Sequence, residues 1–145
     1  MEPSFHNNEC LMVDKLTYHF RSPARGDVII FHDPDPRSNG ELLIKRITGL
    51  PGEKVEIRNG EIYINGYRLQ EKPQFDPIPY PDYSVTVPQG CYLVEGDNRS
   101  NTIGSHIFGP VPRHNIVGRV WITYWPRSAW GFSPKYSASP VPSTA

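Results

Sequence analysis

The sequence has few sulfur-containing residues and no long apolar run. Its 145 residues include two cysteines, Cys10 and Cys91, and two methionines. At most one disulfide bond is possible, so the cysteine content fits a reducing or an oxidising compartment equally well. The longest apolar runs, such as residues 28–31 and 42–44, fall far short of the ~20 residues that a membrane helix requires. The stretch as given is therefore expected to be soluble.

Neither an excess of charge of one sign nor a cluster of metal ligands is present. Lysine plus arginine and aspartate plus glutamate each total 15, so the formal net charge is zero. This balance argues against a broad basic surface for nucleic acid. The five histidines lack the paired i, i+4 spacing of zinc sites, and no Cys-x-x-Cys motif accompanies them. We therefore expect no nucleic-acid partner, no metal and no cofactor.

Proline and glycine, in contrast, are abundant, with 16 and 12 copies. Because both interrupt helices and favour turns, the composition predicts a mainly β chain. Short β-rich runs between turn signals predict about eight strands, at residues 10–14, 28–32, 42–47, 55–58, 61–64, 84–87, 92–95 and 117–124. The Asn59-Gly60 pair suits the type I′ turn of a two-residue hairpin. The predicted fold class is all-β, with coiled, mainly antiparallel sheets forming a barrel or a sandwich.

The length of the chain suits one folded domain, which we place at residues 1–127 with a hairpin insert at about residues 54–90. Residues 71–83 contain four prolines and are expected to form an extended surface loop that could overhang a cleft. Residues 128–145 drift to serine, proline, alanine and glycine. Since such a segment buries little apolar surface, we predict that it is a disordered tail.

Lys45 is the residue most suggestive of chemistry. On a strand, alternation places it on the same face as Leu43 and Ile47, while Arg46 shares the other face with Leu42 and Ile44. An amine on an apolar face has a lowered pKa, so that a neutral lysine could act as a general base. Alternation alone favours the plainer interpretation, in which the lysine extends along its stem to solvent or blunts an edge strand.

The surrounding motifs change that preference. Residues 45–53 (KRITGLPGE) resemble the segment around the general-base lysine of type I signal peptidases. Other segments similar to motifs of that family follow its order: residues 1–5 (MEPSF), 25–31 (RGDVIIF) and 96–102 (GDNRSNT), with residues 108–112 (FGPVP) and 117–119 (VGR) near the end. The resemblance covers nearly the whole chain before residue 128.

The resemblance implies a serine protease with a Ser-Lys dyad, which forms an acyl-enzyme without a metal or cofactor. Lys45 matches the general base and Thr102 the hydroxyl residue that orients it. Gly96, Asp97, Asn98 and Arg99 are expected to shape the loop that carries Thr102. The serine would directly precede Met1, so this chain lacks its nucleophile and is expected to be inactive as given.

The same resemblance implies a substrate and a location. Signal peptides of exported preproteins would add a strand beside the lysine strand and be cleaved after small residues such as Ala-x-Ala. The matching contact residues are Met1, Pro3, Phe5, Leu43 and Ile44, although each could instead belong to the core. The parent protein would be anchored upstream in a plasma or thylakoid membrane, with this domain on the non-cytoplasmic side.

The sequence departs from the family pattern next to the last motif. Gly104 stands where the family usually has an acid, which removes a possible salt-bridge partner near Ser105. His106 stands where many members have arginine, and a histidine there resembles the cyanobacterial and thylakoid branch. The first change is expected to affect the stability or the tuning of the site.

Several other interpretations remain. A Ser-His-Asp triad could combine Ser105, His106 and Asp97, but no Gly-x-Ser-x-Gly elbow frames the serine. The adhesion-like tripeptide at residues 25–27 and the sequon at residues 98–100 are short patterns with many chance matches. Self-cleaving repressors and conjugative pilin-processing peptidases share a related fold and dyad. A catalytically dead homologue that only binds preproteins or partners is the alternative from another functional class.

Overall fold

A computed structural model describes residues 1–2, 4–101, 103–133 and 136–142. Twelve strands run through these residues. In chain order they are β1 (Cys10–Asp14), β2 (Val28–His32), β3 (Leu42–Gly49), β4 (Lys54–Arg58), β5 (Glu61–Ile64), β6 (Tyr67–Lys72), β7 (Tyr83–Thr86), β8 (Cys91–Glu95), β9 (Val111–Pro112), β10 (Ile116–Trp125), β11 (Gly131–Phe132) and β12 (Ser137–Val141). The helices are short: α1 spans Thr17–Phe20 and α2 spans Ser105–Phe108.

The strands form two antiparallel sheets. The first has the order β1-β10-β2-β3-β8-β9, with β11 paired to β10, and the second has the order β12-β6-β5-β4-β7. The predicted all-β class with antiparallel sheets is therefore confirmed. Among the described residues neither sheet closes on itself, so the barrel expected as one alternative does not form.

Each of the eight predicted strand segments coincides with a strand, although Val87 lies one residue past the end of β7. The hairpin turn has the expected geometry. Asn59 and Gly60 both have positive φ, 50° and 80°, as a type I′ turn requires. The same geometry recurs at Asn65 and Gly66, with φ of 51° and 85°, and this second turn leads into β6, which the sequence analysis missed. Residues 54–90, proposed as a hairpin insert, contain β4 to β7, four of the five strands of the second sheet.

Each sheet packs over its own core. The first-sheet core consists of Tyr18, Ile29, Phe31, Ile47, Tyr92, Val94, Val111 and Ile116. The second-sheet core consists of Val55, Ile57, Ile62, Ile64, Leu69, Ile78, Val87 and Leu93. Phe5, Val28 and Val120 form a smaller amino-terminal cluster. Leu93 belongs to a strand of the first sheet but packs in the second-sheet core, so β8 joins the two halves.

The tail differs from its prediction. Ser137–Val141 form β12, which pairs residue by residue with β6 from Lys72 to Arg68, and Ala138 packs against the second-sheet core. The disordered tail expected over residues 128–145 is therefore wrong for this segment. The edge of β6 supplies the backbone partners that a proline- and serine-rich strand cannot provide for itself.

Within the described residues, no helix has the length and apolar character needed to cross a membrane.

Candidate active site

An open groove with a volume of about 840 Å³ lies around Lys45. Its walls come from the first residues of the chain, from β3, from the proline-rich loop and from the segment after β8. The lining residues include Met1, Phe5, Leu43, Lys45, Tyr80, Asn98, Ile103, His106 and Ile107. The loop of residues 71–83 contributes Tyr80, so the segment expected to overhang a cleft does reach this groove.

Lys45 lies in the middle of β3, opposite Ile29 of β2. The adjacent residues on its face, Leu43 and Ile47, both pack with the first-sheet core, as alternation predicts. Burial of the side chain lowers the pKa of Lys45, while the nearby Glu95 and Asp97 carboxylates raise it by a smaller amount. Desolvation therefore favours the neutral amine, the form that can accept a proton.

Arg46, the next residue on β3, is buried and paired with Asp97. Its Nε donates to Oδ1 at 2.8 Å and its NH2 to Oδ2 at 2.7 Å, and the two side chains are only 1% and 0% exposed. Such a fork-to-fork pair fixes both distance and angle. It ties the loop after β8 to the strand that carries Lys45, which supports the structural role expected for Asp97.

Arg99 makes a second buried pair, with Glu71 at the end of β6. Its two terminal nitrogens donate to the carboxylate at 2.9 and 2.7 Å, and its Nε donates to the Gly96 carbonyl at 3.0 Å. The Tyr136 hydroxyl donates to the same carboxylate at 2.6 Å. Burial and the Glu71 charge raise the pKa of Tyr136, which keeps that hydroxyl protonated.

The segment after this loop packs against β8 beyond the two residues that pair with β9. Ser105 is buried, and its Oγ accepts a hydrogen bond from the Val94 backbone N–H at 2.9 Å. The nearest carboxylate to the His106 ring is that of Glu95, whereas Asp97 is bound by Arg46. Ser105, His106 and Asp97 are therefore not arranged as a hydrolytic triad.

Three of the predicted substrate-contact residues, Met1, Phe5 and Leu43, line the groove. Phe5 is also 5% exposed and part of the amino-terminal cluster, so it supports the groove wall from below. Ile44 packs against that same cluster, on the face of β3 opposite Lys45. Pro3 and Thr102 lie outside the described residues.

Glu95 and Tyr80 are the site residues that sequence reasoning did not single out. Glu95 ends β8, is 1% exposed and faces His106. Tyr80 stacks on the His106 ring, with centroids 3.9 Å apart. The sequence did contain a signal for Glu95. An acid stands directly before the 96–102 motif in the same chain that lacks the expected acid at position 104.

Comparison with known proteins agrees with these motifs. The signal peptidase family, peptidase S26, matches residues 1–125. A signal peptidase I of Leptolyngbya laminosa is 42% identical over 136 residues, which cover 90% of this chain and 67% of that protein. Thylakoidal processing peptidase 1 of Arabidopsis thaliana is 36% identical over 136 residues, covering 88% of this chain but 40% of that protein.

A solved structure is also similar. The crystal structure of a signal peptidase I from Enterococcus faecalis V583 superposes with a TM-score of 0.58 at 34% identity, over 68% of this chain and 97% of that chain. Sequence and fold comparisons thus agree on the same family. The chain belongs to the signal peptidase family, peptidase S26, a family of serine-protease hydrolases, and its relatives place it in the cyanobacterial and thylakoidal branch.

Proposed function

We propose that this chain is the catalytic domain of a peptidase that removes signal peptides from exported preproteins after small residues such as Ala-x-Ala. Its mechanism uses Lys45 as the general base for a serine that directly precedes Met1 in the parent protein. One observation carries the proposal: Lys45 lies on an apolar face in an open groove, with its pKa lowered by burial. The family match over residues 1–125 supports the reaction class.

In this mechanism the neutral Nζ of Lys45 accepts the proton of the serine hydroxyl as the serine oxygen attacks the scissile carbonyl carbon. The resulting tetrahedral adduct expels the amine of the mature protein, which takes the proton back from Lys45. An acyl-enzyme remains. Lys45 then activates a water molecule that hydrolyses the ester and releases the signal peptide, so no metal or cofactor enters the cycle. Thr102 orients the lysine.

The pairing of β3 supports strand addition by the substrate. On one side β3 pairs with β2 over Leu42–Arg46, whereas on the other side β8 pairs only with Arg46, Ile47 and Gly49. Among the described residues, the stretch before Arg46 therefore has no strand on its second side. An extended peptide could add there, with alternate side chains directed towards Leu43 and Phe5. The upstream anchor would hold the domain on the non-cytoplasmic side of its membrane.

A catalytically dead homologue that binds preproteins is the alternative. It would use the same groove and edge but would need no neutral amine. The lowered pKa of Lys45 favours the enzyme, because a binding role gives no reason to bury that charge.

The test uses a form of the protein in which a serine precedes Met1 and an upstream membrane anchor is present. Lys45→Ala should slow preprotein cleavage by at least ~10²-fold, since general-base catalysis contributes about that much. Lys54→Ala, at an exposed position on β4, is the matched control and should cleave at the parental rate. Equal rates for Lys45→Ala and the parent would refute the mechanism.

A further inference from the structure

Glu95 is a buried carboxylate with few hydrogen-bond partners. Its side chain is 1% exposed, and its Oε1 lies 3.5 Å from His106 Nδ1. Among the described residues, Oε2 of Glu95 and Nε2 of His106 are both buried without a hydrogen-bond partner. A buried charge that is only partly paired costs stability, so a position of this kind is expected to serve the site.

Gly104 is what makes room for this carboxylate. Its backbone is extended, with φ −123° and ψ −165°, a conformation that any residue can adopt, so the backbone does not require glycine. A Cβ built on Gly104 would instead lie 2.6 Å from Cδ of Glu95, so a side chain at position 104 would have to displace this carboxylate. Glu95 and the absence of a side chain at position 104 are therefore spatially linked.

Glu95 is the cross-strand partner of Arg46, the residue next to the proposed base on β3. It acts electrostatically on Lys45, against the effect of burial on the pKa of that residue. Arg46 on β3 lies opposite it and His106 on α2 lies beside it, while Lys45 on β3, Tyr83 on β7 and Arg99 in the following loop feel its charge. Of these, Lys45 and His106 line the groove.

We propose that Glu95, at the end of β8, supplies the acidic group that the resemblance leads one to expect at position 104. In this role it positions the His106 ring and stabilises the ammonium form of Lys45. The inference rests on the proposed role of Lys45 as the general base. The His106 ring is held between the Glu95 carboxylate and the stacked Tyr80 ring. The same carboxylate therefore holds a residue of the groove wall and places a negative charge near the base.

The decisive comparison removes the carboxylate from position 95 or moves it to position 104, with a side chain of similar size as the uncharged match in each case. Glu95→Gln removes the charge in place. Glu95→Ala combined with Gly104→Asp relocates the charge to position 104, and Glu95→Ala combined with Gly104→Asn is its uncharged match. Titration of the Lys45 side chain is followed by NMR in this chain, residues 1–145, and thermal unfolding checks that each variant is folded.

Glu95→Gln should increase the proton-dissociation constant of Lys45 about tenfold, because a nearby carboxylate stabilises the ammonium form. In the double variant with Gly104→Asp, the proton-dissociation constant of Lys45 should return towards the parental value. In the double variant with Gly104→Asn it should not. If Glu95→Gln titrates like the parent, or the two double variants titrate alike, the proposal is wrong. If Glu95→Gln does not fold, the pair of double variants decides.

The two proposals fail in different ways. A parental Lys45 that titrates near ~10.4, the ordinary value for lysine, contradicts its role as the base. A Lys45 with a lowered pKa that is insensitive to Glu95 contradicts only the present inference. In the anchored form with its serine, Glu95→Gln should move the acid side of the kcat/KM profile to lower pH, an effect that a purely structural role would not produce.

Discussion

At the scale of single residues, Lys45 and Arg46 show how one strand separates two tasks. Burial lowers the pKa of Lys45, whereas the guanidinium of Arg46 is held by Asp97 in a bidentate ion pair. A guanidinium stays ionised in nearly any setting, while an ammonium loses its proton when it is desolvated. The order of the two cations on β3 therefore places the titratable one at the groove.

The burial of Lys45 should cost stability in a manner that depends on pH. Its pKa is lowered in the folded state, so between the folded and unfolded values the unfolded chain binds the extra proton. Lys45→Met should therefore raise the free energy of unfolding most below the folded pKa, and the gain should shrink as pH rises towards ~10.4. Denaturant unfolding across this pH range measures the gain. Lys54→Met is the exposed control, and a gain for Lys45→Met that does not vary with pH would contradict the account.

Breaking the Arg46–Asp97 pair should be severe. Asp97→Asn leaves the buried Arg46 without its counter-charge, which we expect to lower the free energy of unfolding by about 3–5 kcal/mol. Asp35→Asn affects an ion pair whose arginine, Arg37, is 90% exposed, and it should change stability little. Urea denaturation compares the two variants. Equal effects would mean that the buried pair does not hold the loop to β3.

At the scale of elements, β12 pairs with β6 and brings the preceding residue, Tyr136, next to the buried ion pairs of the candidate site. Tyr136 precedes this strand, and its ring lies 4.4 Å from the Arg46 guanidinium carbon. Its hydroxyl reaches Glu71, the partner of Arg99. The segment thus contacts both buried ion pairs that hold the loop of residues 96–101.

Two substitutions of Tyr136 separate these contacts. Tyr136→Phe removes only the hydrogen bond to Glu71, which Arg99 still pairs, and should cost about 1 kcal/mol of unfolding free energy. Tyr136→Ala also removes the ring from Arg46 and should cost about 3 kcal/mol or more. Tyr124→Phe, half exposed on β10, is the control and should have little effect. Denaturant unfolding measures these losses. A loss of unfolding free energy for Tyr136→Ala no larger than that for Tyr124→Phe would show that the segment does not stabilise the site.

At the scale of the whole molecule, β3 and β8 connect the two sheets. Gly49 ends β3 where a Cβ would lie 2.7 Å from Val55 Cγ2 and 2.9 Å from Leu93 Cβ, so the backbone of the first sheet approaches the second-sheet core directly. The groove is built where strands of the first sheet meet a loop extending from the second. Its geometry therefore depends on both cores.

Leu93 tests this dependence. Leu93→Ala should leave a cavity between the sheets and lower the free energy of unfolding by about 2–5 kcal/mol. Leu16→Ala, at a position 70% exposed, should change it by less than about 0.5 kcal/mol. Thermal and urea unfolding measure both. A loss for Leu93→Ala no greater than that for Leu16→Ala would mean that the two cores do not depend on this contact.

The two strands β6 and β12 were missed for different reasons. β6 follows a second Asn-Gly turn and could have been predicted from Asn65 and Gly66, whose positive φ is a local property. β12 could not, because its serine, alanine and proline residues have low strand propensity and pair only where the edge of β6 is available. The role of Glu95 could not be predicted either, because the sequence shows only the last residue of a strand and not that its carboxylate lies next to Gly104.

The sequence by itself determined the β-rich class, eight strand segments, the Asn59-Gly60 turn, the apolar face of Lys45 and the motifs of the family. All of these depend on alternation, turn chemistry or contiguous motifs, which are local. Only the tertiary structure decided that Asp97 meets Arg46 across 51 residues, that Glu71 meets Arg99 across 28, and that Glu95 occupies the space above Gly104. Such contacts depend on which distant segments pack together, and no local pattern encodes that packing.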